Sequence, residues 1–330
     1  MKKPAVASRL LRAAGLGVLL LAAAPVVFRI AAALRETRTP VPPEGRLVAA
    51  GDVRLYVQEL GPADGPIVLF THGMGAWSGL WRPILEPVAA AGIRCVAVDL
   101  PPFGFSERPA NGDYSRAAQA VRLWALADSL GARRASLVGH SFGSGAVAEA
   151  ALAVPERVDK LVLIAPALGL DAAAGPPSPL ARALLAWRPL RQMFVASTLA
   201  NPLLVRRGLA GFMERDEAAT PERVAILRRP QRAEGYVRGV GEWVRGFVLG
   251  GEVTPSFERA AYARLAMPVL LIWGDRDATT PLAQGAALNR SIPGSELVVL
   301  PGIGHMPQLE ETVKVQELLI RFLAPKGPAG

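Results

Sequence analysis

The stretch Ala135-Ser136-Leu137-Val138-Gly139-His140-Ser141-Phe142-Gly143-Ser144 decides the fold. Its first four residues read as a short buried strand, and the small residues from Ser144 to Val154 read as a helix. Between them stands Gly-x-Ser-x-Gly, in which flanking glycines let the chain turn sharply from strand to helix and hold a serine hydroxyl clear of the backbone. The motif alone is weak evidence, but the strand–turn–helix setting is the one it requires. Ser141 is therefore a candidate nucleophile.

Outward from this turn the same rhythm repeats. Arg46–Ala50 and Val53–Leu60 alternate and are joined at Gly51-Asp52 as a hairpin. Continuous apolar runs at Ile67–Phe70, Ile93–Val98, Val158–Ala165, Val269–Trp273 and Glu296–Leu300 suit strands buried on both faces. Helical patterns fall between them at about Leu80–Ala91, Arg116–Leu130, Leu282–Arg290 and Gln308–Leu323. This alternation predicts an α/β fold with a mostly parallel central sheet and helices on both faces. Residues 166–267 break the rhythm: they are rich in Arg, Leu, Ala and Pro and lack a buried-strand run, so they read as an inserted helical cap. Its best helix follows Gln231, with Tyr236, Val240, Trp243, Val244 and Phe247 on one face. The expected organisation is thus a core of residues 46–165 and 268–324, with the cap at 166–267 between its halves.

A serine hydroxyl needs a base to take its proton, and the chain has three histidines. His140 adjoins Ser141 and points away across the turn. His72 lies in Thr71-His72-Gly73-Met74-Gly75 after one strand, and His305 in Gly302-Ile303-Gly304-His305 after the last. His305 is the better base, because a glycine-rich loop past a strand end can carry a side chain over the sheet. The acid that orients it is sought in Gly274-Asp275-Arg276-Asp277. Asp275, directly after the glycine, suits a turn-stabilising role, which leaves Asp277 as the preferred partner.

Composition limits the alternatives. Half of the residues are hydrophobic (51%) and a fifth charged (20%), which excludes both a disordered chain and a polytopic membrane protein. The net charge of +9 is confined to residues 1–40 and to the cap region, with no basic stripe interleaved with aromatics, so nucleic acid is not an expected partner. The lone Cys95 sits in an apolar run and reads as a buried strand residue. Three dispersed histidines and one cysteine suggest no metal site, and there is no phosphate-binding glycine loop, so no cofactor is expected.

At the N-terminus, Lys2, Lys3, Arg9 and Arg12 precede an apolar run from Ala13 to Phe28, continued after Arg29 by Ile30–Leu34. Residues 1–38 are read as a membrane anchor or signal segment, with an uncleaved anchor and an extracytoplasmic catalytic domain preferred over secretion after cleavage and over a peripheral amphipathic or non-membrane segment. Residues 39–45, with three prolines, are read as a stiff linker.

Taken together, the His72–Gly75 loop, the segment Val98-Asp99-Leu100-Pro101-Pro102-Phe103-Gly104-Phe105-Ser106, the Ser141 turn, the turn bearing Asp277, and Gly304-His305 resemble the α/β-hydrolase superfamily, in its capped serine esterase, lipase and C–C hydrolase members. The resemblance spans about Arg46 to Leu323. It implies an acyl-enzyme mechanism on Ser141 with His305 and Asp277. It also implies an oxyanion hole from the backbone N–H groups of Met74 and Phe142, with His72 shaping the loop. Pro102 and Ser144 stand where relatives often have glycine. C–C hydrolases of this superfamily usually carry a tryptophan after the active histidine, whereas Met306 follows His305 here. The expected substrates are therefore carboxylic esters, lipid or monoacylglycerol-like esters among them. C–C hydrolysis, cofactor-free haloperoxidase-like chemistry and a catalytically silent binding module are the alternatives.

Overall fold

In the computed structural model, residues 23–37, 39–170, 177–249 and 252–325 are described. Eight strands form one sheet: β1 (Arg46–Ala50), β2 (Val53–Leu60), β3 (Ile67–Thr71), β4 (Arg94–Val98), β5 (Ala135–His140), β6 (Val158–Ile164), β7 (Val269–Gly274) and β8 (Glu296–Leu300). Their order is β1-β2-β4-β3-β5-β6-β7-β8. The β1–β2 hairpin is antiparallel and joins β4 antiparallel; every other pairing is parallel.

The apolar runs that become β3 to β7 are buried on both sides, whereas β8, expected to be the same, lies at the sheet edge with only Leu300 buried and Val299 40% exposed. Leu69, Val96, Leu137, Leu161 and Leu271 face a core with α3 (Arg116–Ser129) and α4 (Phe142–Ala153). Phe70, Cys95, Val138, Val162 and Ile272 face the opposite core with α2 (Arg82–Ala90) and α12 (Thr312–Leu323). Strand order reverses between β3 and β5, so the crevice beyond the carboxyl ends of these strands is the place where such sheets bind ligands. The loops after β3, β5, β7 and β8 all open there.

Between β6 and β7 the described chain forms α5 (Pro179–Ala186), α6 (Arg188–Ser197), α7 (Val205–Ala210), α8 (Pro221–Arg228) and α9 (Tyr236–Leu249), with short 3-10 turns. Tyr236, Val240, Trp243 and Val244 of α9 are buried with Phe103 and Val195. Phe247, expected on the same stripe, is 70% exposed. It lies one turn further along and stacks on the outer side of Trp243, ring centroids 5.3 Å apart, where nothing of the core reaches it.

The N-terminal expectation needs correction. Among the described residues no helix is long and apolar enough to cross a membrane. Residues 23–35 form a helix, α1, laid against the β6–β7 insertion instead. Ala32 is fully buried there, Arg29 Nε donates to Gln192 of α6 at 3.2 Å, and the Glu36 carboxylate accepts the Val237 N–H of α9 at 2.8 Å. Arg29 and Glu36 are thus engaged with protein. The membrane anchor, the extracytoplasmic placement that followed from it and the membrane as a partner are withdrawn; residues 1–22 of that segment lie outside the described residues.

Candidate active site

The turn at Ser141 is strained by design of its neighbours. Ser141 has φ 49° and ψ −116°, a conformation that side-chain-bearing residues avoid. Glycine is required on either side. A Cβ on Gly139 would stand 2.5 Å from Val147 Cγ2 and 2.7 Å from Ser144 Cα, and one on Gly143 would stand 2.6 Å from the His72 carbonyl oxygen. Thr71 Oγ1 donates across this contact to the Gly143 carbonyl at 3.1 Å, fastening the β3 loop to the first turn of α4.

His305, carried past β8, reaches the serine: its Nε2 lies 2.8 Å from Ser141 Oγ. Its Nδ1 lies 2.8 Å from Asp277 Oδ2, so this nitrogen carries the proton and donates it to the carboxylate. Asp277 Oδ1 accepts the N–H groups of Thr279 and Thr280, each at 2.8 Å, and Oδ2 accepts Thr280 Oγ1–H at 2.7 Å. Burial pushes the Asp277 carboxyl up, but the hydrogen bonds and charge of His305 and the Thr280 donors prevail and hold it below the ordinary aspartate range. Asp275 serves its loop, accepting Gly302 N–H at 2.7 Å. The sequence-selected Ser141, His305 and Asp277 are thus brought into one hydrogen-bonded row, with Ser141 only 9% exposed.

The other two histidines are held neutral. His72 Nδ1–H donates to the Gly73 carbonyl at 2.8 Å while Nε2 accepts Leu100 N–H at 2.9 Å. Burial lowers its pKa to about 4. His140 donates from Nε2 to the His305 carbonyl at 2.9 Å, and burial together with the nearby His305 lowers its pKa to about 3. His140 therefore braces the loop that bears His305, a contact invisible in the sequence because 165 positions separate the two.

Phe142 follows Ser141 in the first turn of α4, where backbone N–H groups lack intrahelical acceptors. Met74 is carried alongside by Gly73, whose ideal Cβ would lie 3.4 Å from Ser141 Cβ. The Phe142 ring meets Phe103 and Trp243, all three edge to face with centroids 5.2–5.8 Å apart, and Phe212 flanks the His305 ring at 5.7 Å. Sequence reading missed Thr280 and Glu310. Thr280 could have been found, since an aspartate commonly accepts N–H groups two and three residues on. Among the described residues no cluster of His, Cys, Asp or Glu is placed to hold a metal ion.

The fold and this hydrogen-bonded row define a serine-type hydrolase architecture, and comparison with known proteins agrees. A family model described as the alpha/beta hydrolase fold matches residues 66–312, and the chain belongs to that family. It is 31% identical over 261 residues to the magnesium-chelatase 30 kDa subunit of Rhodobacter capsulatus, covering 78% of this chain and 86% of that one. It is 28% identical over 276 residues to the 2-hydroxy-6-oxo-6-phenylhexa-2,4-dienoate hydrolase of Burkholderia cepacia, covering 82% of this chain and 91% of the relative. A crystal structure of a meta-cleavage product hydrolase superposes with a TM-score of 0.68 at 23% identity, over 84% of this chain and 97% of that one, a likeness of fold.

Proposed function

We propose that the protein is a serine hydrolase that cleaves the carbon–carbon bond beside a carbonyl in a small, planar, conjugated oxo acid, through an acyl-enzyme on Ser141. The observation that carries this reading is the burial of the row beside an aromatic cluster: Ser141, 9% exposed and 2.8 Å from His305 Nε2, is followed by Phe142, which packs edge to face with Phe103 and Trp243. Flat rings suit a flat conjugated substrate better than a long acyl chain. The printed names of relatives, among them the dienoate hydrolase, support the same choice. In this reading the Phe103–Phe142–Trp243 cluster roofs Ser141, and residues 166–267 act as the cap that contributes Trp243 to it.

In the first step Ser141 Oγ attacks the carbonyl carbon as its proton passes to His305 Nε2, and Asp277 stabilises the resulting imidazolium. The oxyanion is received by the N–H groups of Phe142 and Met74, each such donor contributing about 2.7–4 kcal/mol. When the tetrahedral species collapses, the C–C bond breaks, its electron pair leaves on the conjugated fragment, and the proton held by His305 returns to that fragment. Water then attacks the acyl-enzyme as its proton passes to His305, and collapse releases the acid while His305 returns that proton to Ser141 Oγ.

A second reading, carboxylic ester hydrolysis by the same steps with an alcohol leaving, is favoured by Met306 standing after His305. The full chain and its Ser141→Ala variant should be assayed in parallel on a 2-hydroxy-6-oxo-dienoate and on p-nitrophenyl esters from acetate to palmitate. Serine-dependent loss of the dienoate chromophore is expected, with turnover at least tenfold above any ester. Ester turnover alone would shift the assignment to the second reading, and turnover that survives Ser141→Ala would overturn both.

A further inference from the structure

The carboxylate of Glu310 gathers backbone N–H groups from two separate parts of the chain. Its Oε2 accepts Glu214 N–H at 2.8 Å and Arg215 N–H at 3.1 Å, both from the segment between α7 and α8. Its Oε1 accepts Gly304 N–H at 3.1 Å and Met306 N–H at 3.3 Å, the residues on either side of His305. Glu310 is 8% exposed, and among the described residues no cation pairs with its carboxylate: the Arg215 guanidinium goes instead to the Glu310 carbonyl oxygen at 3.4 Å and to Glu311 at 2.9 Å. Around this centre the two segments are in close contact. His305 N–H donates to the Phe212 carbonyl at 2.8 Å, and a Cβ on Gly304 would stand 2.6 Å from Glu214 N.

We propose that Glu310 is a positioning residue that locks the His305 loop to residues 212–215, so that His305 is held against Ser141 only while this part of the β6–β7 insertion is docked. The assignment rests on His305 being the base of the proposed mechanism. An acceptor-only group is what the geometry calls for. Four donors converge on two oxygens, and a carboxylate satisfies all of them, whereas an amide in either orientation turns an NH2 toward N–H groups that have nothing to accept. The carboxylate also explains a local irregularity: the helix expected to run unbroken from Gln308 is interrupted at Glu311, where φ −134° and ψ 54° turn the short α11 (Pro307–Glu310) back toward the loop. Coupling of this kind makes catalytic competence conditional on docking, because loss of either pair of amides leaves the other pair on a carboxylate free to shift.

The test is the rate of covalent labelling of Ser141 by a fluorophosphonate in the full-length chain, wild type against Glu310→Gln, measured as a function of pH. Glu311→Gln serves as control, since it removes only the exposed pair with Arg215. The expected result is a labelling rate at least tenfold lower in Glu310→Gln with a displaced pH profile, and a rate within twofold of wild type in the control. A folded Glu310→Gln chain that labels at the wild-type rate with the wild-type profile overturns the proposal. Native-state hydrogen exchange on the unaltered protein tests the same coupling without a substitution: the amides of Glu214, Arg215, Gly304 and Met306 should open together with one free energy, and independent opening overturns the proposal. Absence of labelling in the wild type would count against the mechanism on Ser141, and the exchange experiment would still decide the coupling.

Discussion

Replacing Asp277 with asparagine should abolish the base function of His305 without disturbing the loop. Asp277 Oδ1 is fixed by two backbone donors, Thr279 and Thr280, each at 2.8 Å, so the asparagine carbonyl must take that place. The opposite orientation would set an NH2 against both N–H groups, at about 1–3 kcal/mol for each donor left unsatisfied. With the carbonyl so committed, the NH2 faces His305 Nδ1, where the carboxylate oxygen now lies at 2.8 Å, and forces that nitrogen to accept. The ring proton then resides on Nε2, pointing at Ser141 Oγ, and no base is left. A tautomer error of this type costs about 10^4 in kcat, or ~5.5 kcal/mol of transition-state stabilisation. The assay is fluorophosphonate labelling of Ser141 alongside turnover of the preferred substrate, with Asp275→Asn as comparison, because Asp275 accepts Gly302 N–H, which an asparagine carbonyl can also do, and its ion pair with Arg276 is a long, exposed one at 4.0 Å. A loss below about thirtyfold in Asp277→Asn, or an equal loss in Asp275→Asn, would refute the reasoning.

Further outcomes follow from other parts of the structure. His72 and His140 are held neutral, with pKa values lowered to about 4 and about 3, so each takes up a proton on unfolding below about pH 6.5, while Asp99, whose carboxyl burial raises to about 7, releases one; with two groups against one, stability falls with acidity there. Between pH 5.5 and 4.5 the net fall from these three groups should be about 1.4 kcal/mol per pH unit, read by urea unfolding; stability that instead rises toward acid would show that the two histidines charge freely in the native state. The lowered carboxyl of Asp277 acts later: its stabilisation is intact above the ordinary aspartate pKa near 3.8 and is lost only as pH falls through its lower native value. Gly143→Ala places a Cβ 2.6 Å from the His72 carbonyl oxygen, and should cost about 1–3 kcal/mol or more in denaturant unfolding and suppress Ser141 labelling. Trp243→Ala, at a site 5% exposed, should cost about 3–5 kcal/mol and open the roof, moving ester preference toward longer acyl chains; an unchanged chain-length profile would place Trp243 outside the substrate space.

How much of this was legible in sequence depends on whether the signal is local. The sheet was, because strands buried on both faces must read as continuous apolar runs, and Ile67–Thr71 and Val269–Gly274 do so. The row of Ser141, Asp277 and His305 was legible because each residue lies in a glycine-marked turn just past a strand end. The work of His140 and Glu310 was not, since their partners are set by which loops meet across the sheet. Helix periodicity also could not see the interruption at Glu311. The N-terminal misreading has a similar cause. A run of Ala, Val and Leu flanked by arginines serves a bilayer or an apolar groove equally well, and for the described part of the segment the choice was made by Gln192 and the Val237 N–H, far along the chain.

The contact of α1 with α6 and α9 makes the amino-terminal segment a remote brace on the helix that carries Trp243. Val237 and Trp243 share a helix, so the Glu36 carboxylate that receives the Val237 N–H is mechanically continuous with the aromatic roof. A chain begun at residue 40 would retain every reacting group yet forfeit that brace, and trimming by a protease within 23–37 would be felt as altered substrate capture before any catalytic atom was touched.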